Sequence, residues 1–197
     1  MPRSDRNEES YYPEIMRFLK QQIESNFRAA KNPLKVYCKT GELKRGLREI
    51  ISENGITTRS IVEFAESTPP LSLDIFGLIT DGVDYELLVV EVKLLRAVGL
   101  QQLSQLIGYC IVSNAQYGLL INVNGEESPR LLNLLSNEPD VTFIRRMLAY
   151  RDRLVEHNLG VMEWDSATQN VQYTGYGRIK TLSSLCEQLS EKFHTDE

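Results

Sequence analysis

The sequence predicts an α/β fold, a mixed central sheet flanked by helices. Three observations carry this expectation. Apolar residues recur at helical spacing through the first fifty positions, and after Thr58 the pattern changes to strand-like runs. Two of those runs, LSLDIFGLIT and YELLVVEV, are divided by the turn signal Asp81-Gly82 and so form an antiparallel hairpin. A helix-period segment then leads into the short apolar run YGLLINV, a strand–helix–strand crossover that adds a parallel strand.

Taken in order, residues 1–10 are polar and are expected to be a flexible N-terminus, with a single domain over 11–197. Pro13 suits the first turn of a helix that carries Ile15, Leu19, Ile23 and Phe27 on one stripe. A second helix carries Leu43, Leu47, Ile50 and Ile51 and stops at Gly55. SIVEFAES reads as a strand ahead of Pro69-Pro70, and the hairpin follows. From Val98 to Val112 the stripe Leu100, Leu103, Ile107, Cys110 and Ile111 is helical, and YGLLINV ends at Asn124-Gly125. A short helix is expected over Pro129–Leu135. Strand-like pieces follow at VTFIRR, GVMEWD and NVQYTG, and a closing helix carries Leu182, Leu185, Leu189 and Phe193. No repeat or linker divides the 197 residues, a length that suits one core better than two.

Composition removes several function classes. The N-terminus lacks the apolar core of a secretory signal, and no apolar run approaches the ~20 residues that span a bilayer. Cys38, Cys110 and Cys186 are scattered and never form a C-x-x-C pair, which argues for reduced thiols in a cytoplasmic protein. With His157 and His194 the only histidines, and far apart, a histidine-rich metal site is not expected. The net charge of −5 counts against a nucleic-acid partner, yet the charge is unevenly spread. Arg28, Lys31, Lys35, Lys39, Lys44, Arg45 and Arg48 are opposed between Phe27 and Glu49 only by Glu42. Arg145, Arg146, Arg151 and Arg153 form a second basic cluster; solvated surface charge is the alternative for both.

The chemistry centres on charges planted in apolar strands. Asp74 interrupts LSLDIFGLI, and Glu91 and Lys93 interrupt LLVVEVKLL, where unpaired charge would be costly. Two residues apart on a strand, Glu91 and Lys93 share a sheet face. A hairpin loop of Asp81–Asp84 would set Asp74 directly opposite Glu91, and a loop of Asp81-Gly82 would set it diagonal, still on that face. A three-residue loop without a bulge would put it on the other face. Two carboxylates on one face can hold a hard divalent cation, Mg²⁺ or Mn²⁺, and a lysine beside them can stabilise charge developing on a phosphate. The plain alternative is an edge-strand ion pair.

The series LSLDIFGLI, LLVVEVK, QQLSQLIGYC and YGLLINVNG resembles the core of the PD-(D/E)xK nuclease superfamily, over roughly residues 59–124. The step from Gln105 to Tyr109 is similar to the extra motif of RecB-type nucleases and of type I restriction subunit nuclease domains. The resemblance implies a restriction-endonuclease-like fold and metal-dependent hydrolysis of DNA phosphodiester bonds in defence, restriction or repair. It makes Asp74 and Glu91 metal ligands and Lys93 the catalytic lysine, with Gln105 and Tyr109 positioning the site or the strand. Glu14 corresponds to the acidic residue that many members carry on the first helix. Leu73 stands where the motif has proline, and the cysteines of the iron–sulfur members are missing. DNA is the implied partner, with Lys31, Lys35, Lys39 and Arg96 as candidate phosphate contacts. A homodimer, or a separate specificity or motor subunit, would be further partners. A catalytically silent binding module on the same fold, and an RNA-cleaving relative, are the other readings. Gln105 with Tyr109 as an amphipathic flank, Glu14 as a first-turn acid, and Trp164, Tyr173 and Tyr176 as core or base-stacking residues stay open.

Overall fold

A computed structural model describes residues 6–148 and 153–193. The chain opens on a 3-10 turn, Glu8–Tyr11, and runs through α1 (Tyr12–Asn26), β1 (Lys35–Glu42), α2 (Leu43–Asn54) and α3 (Arg59–Ser67). The hairpin β2 (Ser72–Thr80) and β3 (Tyr85–Lys93) comes next, then β4 (Ala97–Val98), α4 (Leu100–Ser113), β5 (Tyr117–Val123) and β6 (Glu126–Glu127). The last part holds α5 (Pro129–Asn137), β7 (Phe143–Leu148), β8 (Arg153–Asp165), β9 (Asn170–Gly177) and α6 (Leu182–Phe193).

The fold is α/β with a mixed central sheet flanked by helices. The sheet order is β1-β2-β3-β5-β8-β7, with β9 also pairing with β8. The pairs β3–β5 and β5–β8 are parallel and the others antiparallel. One face buries Val90, Val92 and Ile121 against Ile15 and Leu19 of α1 and Leu185 of α6. The opposite face buries Val89 and Leu120 against Leu47 of α2, Ile61 of α3 and Leu106 of α4. Such two-sided cover explains why β3 and β5 read as continuous apolar runs rather than alternating ones.

Most expected elements are present, including the αL stop of α2 at Gly55, whose φ is 61°. Two readings need correction. SIVEFAES is α3, a helix that buries Ile61 and Ala65 one turn apart. Its β-branched residues suggested a strand, but the i, i+4 pair decides which face is buried. Conversely, KVYCKTGE is β1, an edge strand whose polar residues hid it in the sequence. The order through β5 is therefore helix, strand, helix, helix, two strands, a two-residue strand, helix and strand.

Among the described residues no helix is long and apolar enough to cross a membrane. Within the N-terminal stretch, Asn7 accepts a hydrogen bond from the Ser10 amide and opens the 3-10 turn Glu8–Tyr11. Arg151 and His194 lie outside the described residues.

Candidate active site

The β2–β3 ladder pairs Thr80 with Tyr85 and Ile75 with Val90, so the connecting loop is Asp81–Asp84. Extending that register by one residue sets Asp74 against Glu91, the closer of the two arrangements expected. The Asp74 Oδ2 atom accepts a hydrogen bond from the Val92 amide at 2.9 Å, which holds the carboxylate across the strand gap.

Lys93 Nζ is the centre of the cluster. It lies 2.6 Å from Glu91 Oε1, 3.5 Å from Asp74 Oδ2 and 3.8 Å from Glu8 Oε1. Glu91 is 1% exposed, and the Lys93 ammonium is the close partner of its buried Oε1. Burial, assisted by the negative charge of Asp74 and Glu8, pushes the Glu91 carboxyl up to about 7 against the pull of Lys93. Burial lowers the Lys93 ammonium, but Glu91, Asp74 and Glu8 outweigh it and hold the group above its ordinary value. Lys93 is therefore a cation at neutral pH.

Glu8 is the residue that the sequence reading missed. Its Oε2 accepts from the Leu94 amide at 3.2 Å and its Oε1 from the Tyr12 hydroxyl at 3.2 Å. The 3-10 turn thus pins the loop that leaves β3. Burial, Asp74 and Glu8 push the Tyr12 phenol well up, so it remains a donor. Glu14, expected in this role, pairs with Arg6 at 3.1 Å through Oε1, and its Oε2 is buried with no hydrogen-bond partner among the described residues. A capping signal was available in Asn7 three residues before Ser10.

Asn122 is a second missed residue. Fully buried and paired in register with Lys93, it accepts from the Leu95 amide at 3.2 Å and donates to the Glu126 carbonyl at 3.1 Å. It ties the exposed loop Leu94–Arg96 to the turn after β5. A polar residue inside the apolar run YGLLINV is the same signal that singled out Asp74.

The remaining candidates are dispersed. Gln105 Nε2 donates to the Tyr109 hydroxyl at 2.9 Å on an exposed flank of α4, and neither hydrogen-bonds to the cluster. Arg96 is exposed on the loop after Lys93. Lys31 and Lys35 are exposed at the far end of the sheet: Lys35 pairs with Thr80, six residue steps or roughly 20 Å along β2 from Asp74. Lys39 is held by Glu49 at 2.9 Å and Glu53 at 2.8 Å. The expected phosphate rim beside the site is therefore not formed by Lys31 and Lys35. In the second basic cluster, Arg145 pairs with Glu156 at 2.9 Å and Arg146 reaches the Ile111 carbonyl and Asn114. His157 is a core residue on the Ala115 carbonyl, and Trp164 is fully buried, while Tyr173 and Tyr176 are exposed.

Beside Asp74 a cavity of about 430 Å³ opens between α1 and the end of β1, lined by Tyr12, Pro13, Met16, Gly41 and Leu73 among others. The β1 register slips between Lys39 and Gly41, and Gly41 sits at φ +89°, a conformation open to glycine at little cost. No family of proteins, curated protein or solved structure matches the chain.

Proposed function

We propose that this chain is a metal-dependent nuclease that hydrolyses DNA phosphodiester bonds on a restriction-endonuclease-like sheet, in the cytoplasm. The observation that supports it most is the convergence of Asp74, Glu91 and Glu8 on Lys93 at one sheet end, next to an open cavity.

The donor set fits a hard cation. Among the described residues no three Asp, Glu, His or Cys side chains form a ready-made cage, and Lys93 stands between the carboxylates. All the candidate ligand atoms are oxygens, which Mg²⁺ and Mn²⁺ prefer over cysteine or histidine sites. Asp74 and Glu91, with Glu8 assisting, would hold the ion. When bound it would polarise a phosphate and lower the pKa of its water. Lys93 supplies a fixed positive charge where negative charge grows on the phosphate, or orients the attacking water. The amide of Val92 keeps Asp74 in place, and Asn122 and Glu8 hold the loop that follows Lys93.

Cleavage of single-stranded, duplex and branched DNA with and without Mn²⁺ tests the reading. The wild-type protein should cut at least one of these only when the ion is present. Asp74→Ala should abolish cutting, and Lys93→Ala should slow it by roughly 10²–10³-fold, the scale of one lost transition-state contact. Ion-independent cutting, or full activity in Asp74→Ala, would remove the proposal.

A further inference from the structure

We infer that the Tyr12 hydroxyl, the Leu94 amide and the Lys93 ammonium form a seat for the scissile phosphate, in which the Glu8 carboxylate stands as a substitute. The inference rests on the nuclease reading, and adds the groups that hold the substrate. The three donors come from the start of α1, the loop after β3 and the end of β3, and they converge on one carboxylate. Glu8 Oε1 accepts from the Tyr12 hydroxyl at 3.2 Å and lies 3.8 Å from Lys93 Nζ. Its Oε2 accepts from the Leu94 amide at 3.2 Å. An O–H, a backbone N–H and an ammonium around one anion are also the donors that phosphate oxygens take. The seat adjoins the candidate ligands, since Lys93 Nζ is 3.5 Å from Asp74 Oδ2. Tyr12 and Asp74 both line the open cavity, with Glu9 on its wall, so the seat is reached from solvent.

Two features mark Glu8 as replaceable. Its three contacts, at 3.2, 3.2 and 3.8 Å, are longer than the roughly 2.7–2.9 Å of a well-seated charged hydrogen bond. A phosphate carries more oxygens on a wider, tetrahedral frame, and so reaches all three donors better than a planar carboxylate does. Glu8 is also the one carboxylate of the cluster that is not locked in. Its side chain is 31% exposed on a 3-10 turn, whereas the Val92 amide fixes Asp74 at 2.9 Å and Glu91 is 1% exposed. Lys93 keeps its place without Glu8, because Glu91 holds it at 2.6 Å. Asp74 and Glu91 would repel a phosphate beside them, so the seat fills only with the divalent ion bound. A displaced Glu8 is then available to assist that ion.

Titration of inorganic phosphate into the Mg²⁺-saturated protein, followed at the Leu94 amide by ¹⁵N–¹H NMR, tests this. The amide should shift saturably. Glu8→Gln should bind phosphate about tenfold tighter than wild type, because the competing charge is gone from the seat. Glu9→Gln makes the same charge change on the exposed neighbour and should alter binding by less than about twofold. Tyr12→Phe should weaken binding about tenfold, the scale of one hydrogen bond to a charged group, and by the same factor in the Glu8→Gln background. If Tyr12 merely held Glu8 in place, its loss would tighten binding in wild type and have no effect in Glu8→Gln. That pattern, no gain in Glu8→Gln, or an equal gain in Glu9→Gln would overturn the inference. DNA cut with Mn²⁺ by a protein whose Leu94 amide ignores phosphate would also overturn it, and leave the nuclease reading standing. Phosphate filling the seat of a protein that cuts no DNA would instead sink the nuclease reading and leave the seat.

Discussion

Glu91 is the residue on which the local energetics turn. A carboxyl at about 7 rather than its ordinary 4.5 binds a proton more tightly in the folded protein than in the unfolded chain. Its contribution to stability is fully present below about 4.5 and is lost as pH rises through about 7. Without a divalent ion, thermal melts from pH 5 to 8 should therefore show the Glu91→Gln protein gaining on wild type as pH rises. A constant difference between the two across that range would mean that burial does not perturb the carboxyl. Adding Mn²⁺ should restore wild type most at the alkaline end, because the ion binds the ionised form. Glu8 acts from the other side of Lys93. Glu8→Ala should weaken Mn²⁺ binding less than Glu91→Ala and should also loosen the loop at Leu94, whose amide it accepts. Faster amide exchange at Leu94 in Glu8→Ala is the readout, and unchanged exchange there would make Glu8 a bystander. Asp74, Glu91 and Lys93 were legible in the sequence because charge in an apolar strand demands a reason. Glu8 was not, because its place depends on a turn that brings residues eighty-six positions apart into contact.

At the scale of elements, the loop from Leu94 to Arg96 is built to close tolerances. A Cβ on Gly125 would overlap the Leu95 carbonyl and the Asn122 amide. Gly125→Ala should push that loop off Asn122 and lower the cleavage rate while leaving melting close to wild type; an unaltered rate would show that the loop does not position the site. Gly46 on α2 is a different case, since a Cβ there meets the Phe76 ring in the core. Gly46→Ala should cost stability by about 1–3 kcal/mol, the range for overpacking, with little effect on chemistry once folded. A denaturant titration reads this directly. The hairpin, the crossover and the closing helix could be read from periodicity because each buries a regular stripe. The strand β1 could not: it lies at an edge, buries Val36 fully but leaves Lys35 exposed, and carries a bulge that breaks alternation. The helix α3 was misread for the opposite reason, with β-branched residues on a helical stripe.

For the whole molecule, the question is how a chain of net charge −5 would meet a polyanion. Neutralising pairs are spread over its surface, with Arg45 against Glu49, Arg59 against Glu63 and Arg145 against Glu156. Exposed pairs of this kind add little stability, but they remove free positive charge from the surface. What would answer the charge of Glu8, Asp74 and Glu91 is a bound cation. The account therefore makes the divalent ion the hinge of function, since without it the site presents three carboxylates and one lysine to a phosphate. Calorimetric titration of Mn²⁺ into wild type, Asp74→Ala, Glu91→Ala and Lys93→Ala tests that claim most directly. The account predicts saturable binding by wild type, none by either carboxylate variant, and equal or tighter binding by Lys93→Ala. Equal affinity in all four proteins would contradict it, because Asp74 and Glu91 would then not be ligands.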